Sequence, residues 1–293
     1  MGPFANLLAN AAVAGLLLGG FYAAVAVGIE IAFGMLDIPN LAHPAFVILG
    51  AFAVWLLNST FGVDPLLAGL IAAPAFFLLG VGLYQAYHAL FERHGQTSLQ
   101  GLAFFFGILF ITEVGLVMAF GADYRSVHTG YGGTTFTLLG IDLPARMLVA
   151  FVVALVLIGG LHVFLGRTFL GRAVRAVSQD RLALQLMGIS PYRIKMMASG
   201  IAMATAAIAG SLLIVIQPVD PSLGEDYIGR AFAIVVLGGM DSFGGMLAAA
   251  LLIGVAESIV ATFYDPSWAP AISFGLLLPT LALRGGGLLG RSL

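Results

Sequence analysis

Apolar runs of about 20 residues recur from one end of this chain to the other, and each is long enough to cross a bilayer as a helix. Only 9% of the 293 residues are charged while 60% are hydrophobic; an ordinary soluble domain carries about 25% charged residues. A water-soluble fold of this size could not cover its surface with so few charges. The expectation is one all-α polytopic membrane domain over 1–293, with no room for a separate soluble domain. A net charge of −2 makes nucleic acid an implausible partner. With no cysteine there is no disulfide framework and no thiolate ligand or nucleophile. Met1 to Asn10 lacks the basic n-region of a secretory signal, so the first apolar segment is expected to stay as a spanning helix.

Nine candidate spans follow, at roughly 8–34, 45–60, 65–90, 99–120, 144–165, 196–216, 227–240, 246–263 and 268–284. The seventh is short, so about 8–10 helices are expected. Six of the twelve Lys and Arg residues fall in 166–197: Arg167, Arg172, Arg175, Arg181, Arg193 and Lys195. Placing 166–195 in the cytoplasm and counting spans outward puts nine basic residues inside and three (Arg125, Arg146, Arg230) at the outer face. The N-terminus is then outside and the C-terminus cytoplasmic.

Two stretches interrupt the apolar pattern. In 34–50, Pro39 and Pro44 remove backbone donors, while Asp37, Asn40 and His43 can serve the freed groups. In 236–248, four glycines and the pair Asp241–Ser242 sit in the middle of hydrophobic sequence. Irregular backbone at membrane depth survives only where protein or water satisfies it. Each is read either as a turn or as a re-entrant segment beside a translocation path. As broken segments in corresponding places of the two halves, they suggest an internal repeat. The path candidates are Glu30, Asp37, Asn40, His43, Asp241 and Ser242, with Glu30 open to a purely structural role. Gly15 and Gly19, four residues apart, suit close helix packing. The polar stretch 121–143 is the longest outer loop and is read as a plain connection or a contact for an external partner.

Chemistry is sparse. There is no phosphate-binding G-x-x-x-x-G-K-[ST], no H-E-x-x-H and no G-x-S-x-G, and the five histidines are scattered, so no metal site or catalytic residue is expected. The basic stretch is more informative. Ser178 is a candidate N-cap with Asp180 in the first turn; Leu182, Leu186 and Ile189 recur on one stripe; Gly188 suits the C′ position, and Ser190–Pro191 opens the next helix. A helix of about nine residues is marginal alone in water and needs a surface to lie on. It is read as an amphipathic topology loop or as a knob that fits another protein.

The run G-R-A-V-R-A-V-S-Q-D-R-L-A-L-Q-L-M-G-I-S-P-Y-R-I-K resembles the cytoplasmic loop of the permeases of branched-chain amino acid ABC importers, with Arg172, Arg175, Asp180, Gly188, Ile189 and Arg193 in matching places. L-L-L-G-G-F-Y-A-A-V-A-V-G-I-E-I-A-F-G-M-L-D-I-P-N-L-A-H (16–43) is similar to the family's N-terminal segment, and V-V-L-G-G-M-D-S-F-G-G-M-L (235–247) to its G-G-x-G-S-x-x-G-A. Glu30, Pro44 and the C-terminal 283–290 depart from the family pattern.

The resemblance implies a permease, the shorter of the two types, in a bacterial inner membrane. It would work with a second homologous permease, two cytoplasmic ATPases and an external substrate-binding protein. ATP and magnesium would be bound by the ATPases, with no cofactor in this chain. ATPase coupling would fall to Arg172, Arg175, Asp180, Arg181, Leu182, Leu186, Gly188, Ile189 and Arg193. The implied substrate is a branched-chain amino acid; urea, amides and small organic acids stay open. So, from other classes, do an ion-gradient-driven transporter, a channel and a membrane enzyme.

Overall fold

The computed structural model describes residues 3–36, 38–95, 99–138, 140–240 and 242–283. Helix α1 (Pro3–Ile29) continues into a π-helical turn, Glu30–Met35. There follow α2 (His43–Phe61), α3 (Pro65–Leu90), α4 (Leu99–Phe120), the short hairpin strands β1 (Thr135–Leu138) and β2 (Ile141–Pro144), and α5 (Ala145–Arg167). The basic region forms α6 (Phe169–Gln179) and α7 (Arg181–Leu186). Then come α8 (Pro191–Ile216), α9 (Gly224–Gly238), α10 (Phe243–Phe263) and α11 (Ala269–Leu283).

Every expected span is a helix, which bears out an all-α polytopic membrane protein, the hairpin being the exception to all-α. Among the described residues seven helices are long and apolar enough to cross a membrane: α1 with its π turn, α2, α3, α4, α5, α8 and α10. Helices α9 and α11 have 15 residues each, about 22 Å at 1.5 Å per residue, short of a ~30 Å hydrocarbon layer.

The starts and stops follow local chemistry. Asp64 caps α3 by accepting the Leu66 N–H at 2.9 Å, and Pro65 takes the first helical position, where a missing N–H costs nothing. Thr168 caps α6 through the Gly171 N–H at 3.0 Å, and Ser242 caps α10 through the Gly245 N–H at 3.1 Å.

Two antiparallel pairs form the centre. Helix α1 packs most extensively on α10, and α3 on α8. Small residues let the backbones approach: a Cβ on Gly15 would lie 2.5 Å from the Val255 Cα, and one on Gly19 2.7 Å from the Ala250 oxygen. The glycine pair therefore serves internal packing. On the other pair, a Cβ on Gly69 would meet the Ser211 side chain at 2.6 Å, and one on Gly80 the Ser199 oxygen at 2.5 Å.

Exchanging α1 with α8, α2 with α9 and α3 with α10 carries one pair onto the other with the direction of the chain reversed, the pattern of an inverted repeat. The repeat thus differs from the one expected from the sequence. The break after α1 corresponds to the α8–α9 junction. The break at 236–248 corresponds to the turn between α2 and α3, where Gly62 also has positive φ and Asp64 also caps. Local composition pairs the two breaks and helix packing pairs other turns, because composition carries no information on which helices pack.

Candidate functional site

Three polar groupings stand out in this apolar chain. The first is the basic region. Helix α7 is a single short helix capped by Asp180, whose Oδ1 accepts the Leu182 and Ala183 N–H groups, each at 2.9 Å. Ser178 is not the cap: it lies inside α6 and its hydroxyl donates to the Arg175 carbonyl. Asp180 has the extended backbone of a cap (φ −153°, ψ 102°) and Ser178 does not, so the helix expected between a Ser178 cap and Gly188 is divided between α6 and α7.

Gly188 is at the predicted position. Its φ is 77°, its N–H donates to Gln185, and the Ile189 N–H donates to Leu184, the paired bonds of a Schellman motif. The predicted apolar stripe is corrected. Leu184 is the buried residue, while Leu182 (66% exposed), Leu186 (81%) and Met187 (66%) point away from the protein, and Ile189 is half-buried. Six residues make under two turns, too few for a continuous buried stripe. The short helix instead anchors on one leucine and presents the others. Arg172, Asp180 and Arg193 are exposed and Arg175 half-buried; the Arg181 side chain lies outside the described residues.

Lys195, which the sequence reading grouped with the topology-setting charges, points inward. It is 3% exposed and pairs with Glu92 at 2.5 Å. Glu92 also accepts the Tyr84 hydroxyl at 2.8 Å and meets His88 Nδ1 at 3.1 Å. Burial alone would push the Glu92 carboxyl up; the Lys195 ammonium and the hydrogen bonds from Tyr84 and His88 outweigh it and hold the group below the ordinary carboxylate range. The pair brings the α3–α4 turn to the same end of the bundle as the basic region. At the opposite end, Asn10 donates to the Gly140 carbonyl and accepts the Asp142 N–H, and Arg125 bridges to Val219. Helix α1 therefore begins at the end that holds the hairpin.

The second grouping surrounds the break after α1. Glu30, Asn40 and His43 are all buried. Glu30 opens the π turn, a rare geometry that often marks a functional position. The His43 ring occupies the space a side chain at Gly28 would need, close to the Ala202 carbonyl. The Val25 backbone interacts with the ring, but among the described residues neither ring nitrogen completes a hydrogen bond of good geometry and Asn40 Oδ1 has no hydrogen-bond partner. Asp37 and Asp241 lie outside the described residues. Ser242 is committed locally as the α10 cap. No group of three His, Cys, Asp or Glu residues that could hold a metal occurs among the described residues.

The third grouping was missed in the sequence. Glu257 on α10 is buried and accepts from Tyr22 of α1 (2.7 Å), Arg230 of α9 (3.2 Å) and Ser273 of α11 (2.6 Å). The Arg230 guanidinium lies over the Tyr22 and Tyr227 rings at 5.8 and 5.7 Å. Gln217 donates to the Tyr227 hydroxyl at 3.0 Å. Glu257, the one ionisable residue of its span, was the available signal.

A bundle of long apolar helices of spanning length defines a multi-pass membrane protein. Residues 11–281 match the family described as the branched-chain amino acid transport system permease component, and the chain belongs to that family. It is 28% identical to the high-affinity branched-chain amino acid transport system permease protein BraD of Pseudomonas aeruginosa, over 95% of this chain and 94% of that protein. It is 25% identical to LivH, a permease protein of the same description from Escherichia coli K12, over 94% of each. LivM of Salmonella typhimurium is 31% identical, over 90% of this chain and 70% of its own length. No solved structure matches the chain.

Proposed function

We propose that the chain is a transmembrane subunit of an ATP-driven importer, carrying a small amphipathic solute, with branched-chain amino acids first, across a bacterial inner membrane. Its relatives are named as permeases of branched-chain amino acid systems, and E. coli K12 has both a LivH and a LivM permease protein. The chain covers 94% of LivH but 71% of LivM, which favours the shorter type, paired with a homologous permease. Two cytoplasmic ATPases bind ATP and magnesium, and an external binding protein delivers the solute.

The observation that carries this reading is the exposed apolar cap of α7. Leu182, Leu186 and Met187 project from a rigidly capped helix of six residues, flanked by the exposed Arg172 and Arg193. A knob of this kind fits a groove on an ATPase, and Arg175, Asp180, Arg181, Gly188 and Ile189 shape and support it. The α7 end is then cytoplasmic, and the hairpin end, with the N-terminus, faces out.

In operation, closure of the ATPases moves α7, and the motion passes into α8, which begins three residues after the Gly188 turn. The breaks after α1 and α9 are the segments that rearrange between outward and inward access, with Glu30, Asp37, Asn40, His43, Asp241 and Ser242 beside the path. Urea, amides and small organic acids are the alternative cargoes, because Glu30 and Pro44 depart from the family pattern next to the proposed path. An ion-gradient-driven transporter is the second reading, favoured by the buried Glu30. Co-purification tests the proposal. Leu182→Asp with Leu186→Asp alters exposed positions only and should release the ATPase from a complex that otherwise purifies intact. Undiminished ATPase in the double variant would reject the docking role.

A further inference from the structure

We infer that Arg230, braced by Glu257, is a binding point for the carboxylate of the transported solute. Arg230 is the seventh residue of α9 and Glu257 the fifteenth of the 21 in α10. Each lies six residues from the helix end nearer the hairpin face, about 9 Å along its axis. An arginine at that depth is expensive in hydrocarbon and faces protein or water. Its underside is accounted for: Nε donates to Glu257 and the guanidinium lies over two tyrosine rings. Nη1 reaches the Asp226 carbonyl at a long 3.4 Å, and Nη2 makes no hydrogen bond among the described residues. The side chain keeps 15% of its surface open. The open edge of the guanidinium is thus a donor fixed in place by everything behind it.

Glu257 is the reason the edge stays put. It is 2% exposed and receives Tyr22, Ser273 and Arg230 from three different helices. The pair is neutral as a unit, so it sits in the membrane at moderate cost. The remaining guanidinium donors match a carboxylate in geometry and charge. One turn earlier on α9, Asp226 is exposed and forms no ion pair with Arg230 among the described residues, which leaves an acceptor beside the site for an ammonium group. The chemistry favours a zwitterion or a monocarboxylate over urea or an amide. The inference rests on the importer reading and narrows its cargo.

The test uses the assembled transporter in proteoliposomes with radiolabelled leucine as the probe. In Arg230→Met with Glu257→Gln no buried charge is left unpaired, and the glutamine carbonyl still accepts from Tyr22 or Ser273. This double variant should assemble and melt close to wild type while leucine uptake falls roughly tenfold or more. Arg230→Lys keeps the charge but loses the planar fork, and should raise KM for leucine with the maximal rate little changed. Wild-type uptake by the double variant would reduce the pair to an internal brace and overturn the inference. So would loss of assembly in both variants, because Arg230 would then hold a partner subunit instead. Uptake driven by an ion gradient rather than ATP would refute the importer reading alone, since both variants are scored on leucine movement whatever drives it.

Discussion

Replacing Lys195 with methionine probes the joint between the basic region and the core. The substitution keeps the length of the side chain and removes an ammonium that is 3% exposed and 2.5 Å from Glu92. Stripping one partner from a fully buried ion pair costs about 3–5 kcal/mol. Glu92 retains 14% exposure and the Tyr84 and His88 contacts, so the expected loss is nearer about 2–3 kcal/mol. Glu92→Gln alone should cost a similar amount by stranding the ammonium. The double variant should cost about 1 kcal/mol or less, giving a coupling of about 3 kcal/mol or more. Equilibrium unfolding in mixed detergent micelles reads all three.

The same site sets an acid dependence. The folded carboxyl titrates below the ordinary carboxylate value of 4.5, so the pair's contribution is fully present above that pH and is lost as pH falls through the lower, folded value. Lys195→Met should flatten the stability profile in that window. Single variants within about 0.5 kcal/mol of wild type, with no coupling, would mean that the ion pair does not hold this joint together.

Three further outcomes follow. Gly19→Leu forces a side chain into the α10 backbone and should destabilise by at least about 1–3 kcal/mol in the same micelle assay, whereas Gly107→Leu on α4, where the space is open, should not. Gly28→Ala meets the His43 ring and the Ala202 carbonyl and should lower stability by about 1–3 kcal/mol, with part of the loss relieved when His43 is shortened to alanine, since the carbonyl contact at 2.8 Å remains. Gly188→Ala has room for its methyl group but sits at φ 77°, a left-handed conformation costing about 1–2 kcal/mol for other residues; amide exchange in α7 should rise roughly tenfold.

The membrane class and the helix positions were legible because hydrocarbon imposes long apolar runs that can be read one residue at a time. Gly188 and Ser190–Pro191 were legible for a similar reason, since caps are local. The N-cap of α7 was misassigned because Ser178 and Asp180 are both good capping types two residues apart, and only the backbone decides between them. What depends on packing could not be read. The Arg230–Glu257 pair joins residues 27 apart on different helices, and Glu92 and Lys195 are 103 apart. The correspondence between halves, expected from two similar glycine-rich breaks, is instead set by which helices pack. The π turn at Glu30 also left no mark in the apolar pattern.

Drive by a motor on another protein is tested most directly by leucine uptake into proteoliposomes with the energy source varied. Uptake is expected only when the partner permease, the ATPases, the binding protein and ATP are all present, and none from an imposed proton or sodium gradient. Gradient-driven uptake by this chain without the ATPases would contradict it.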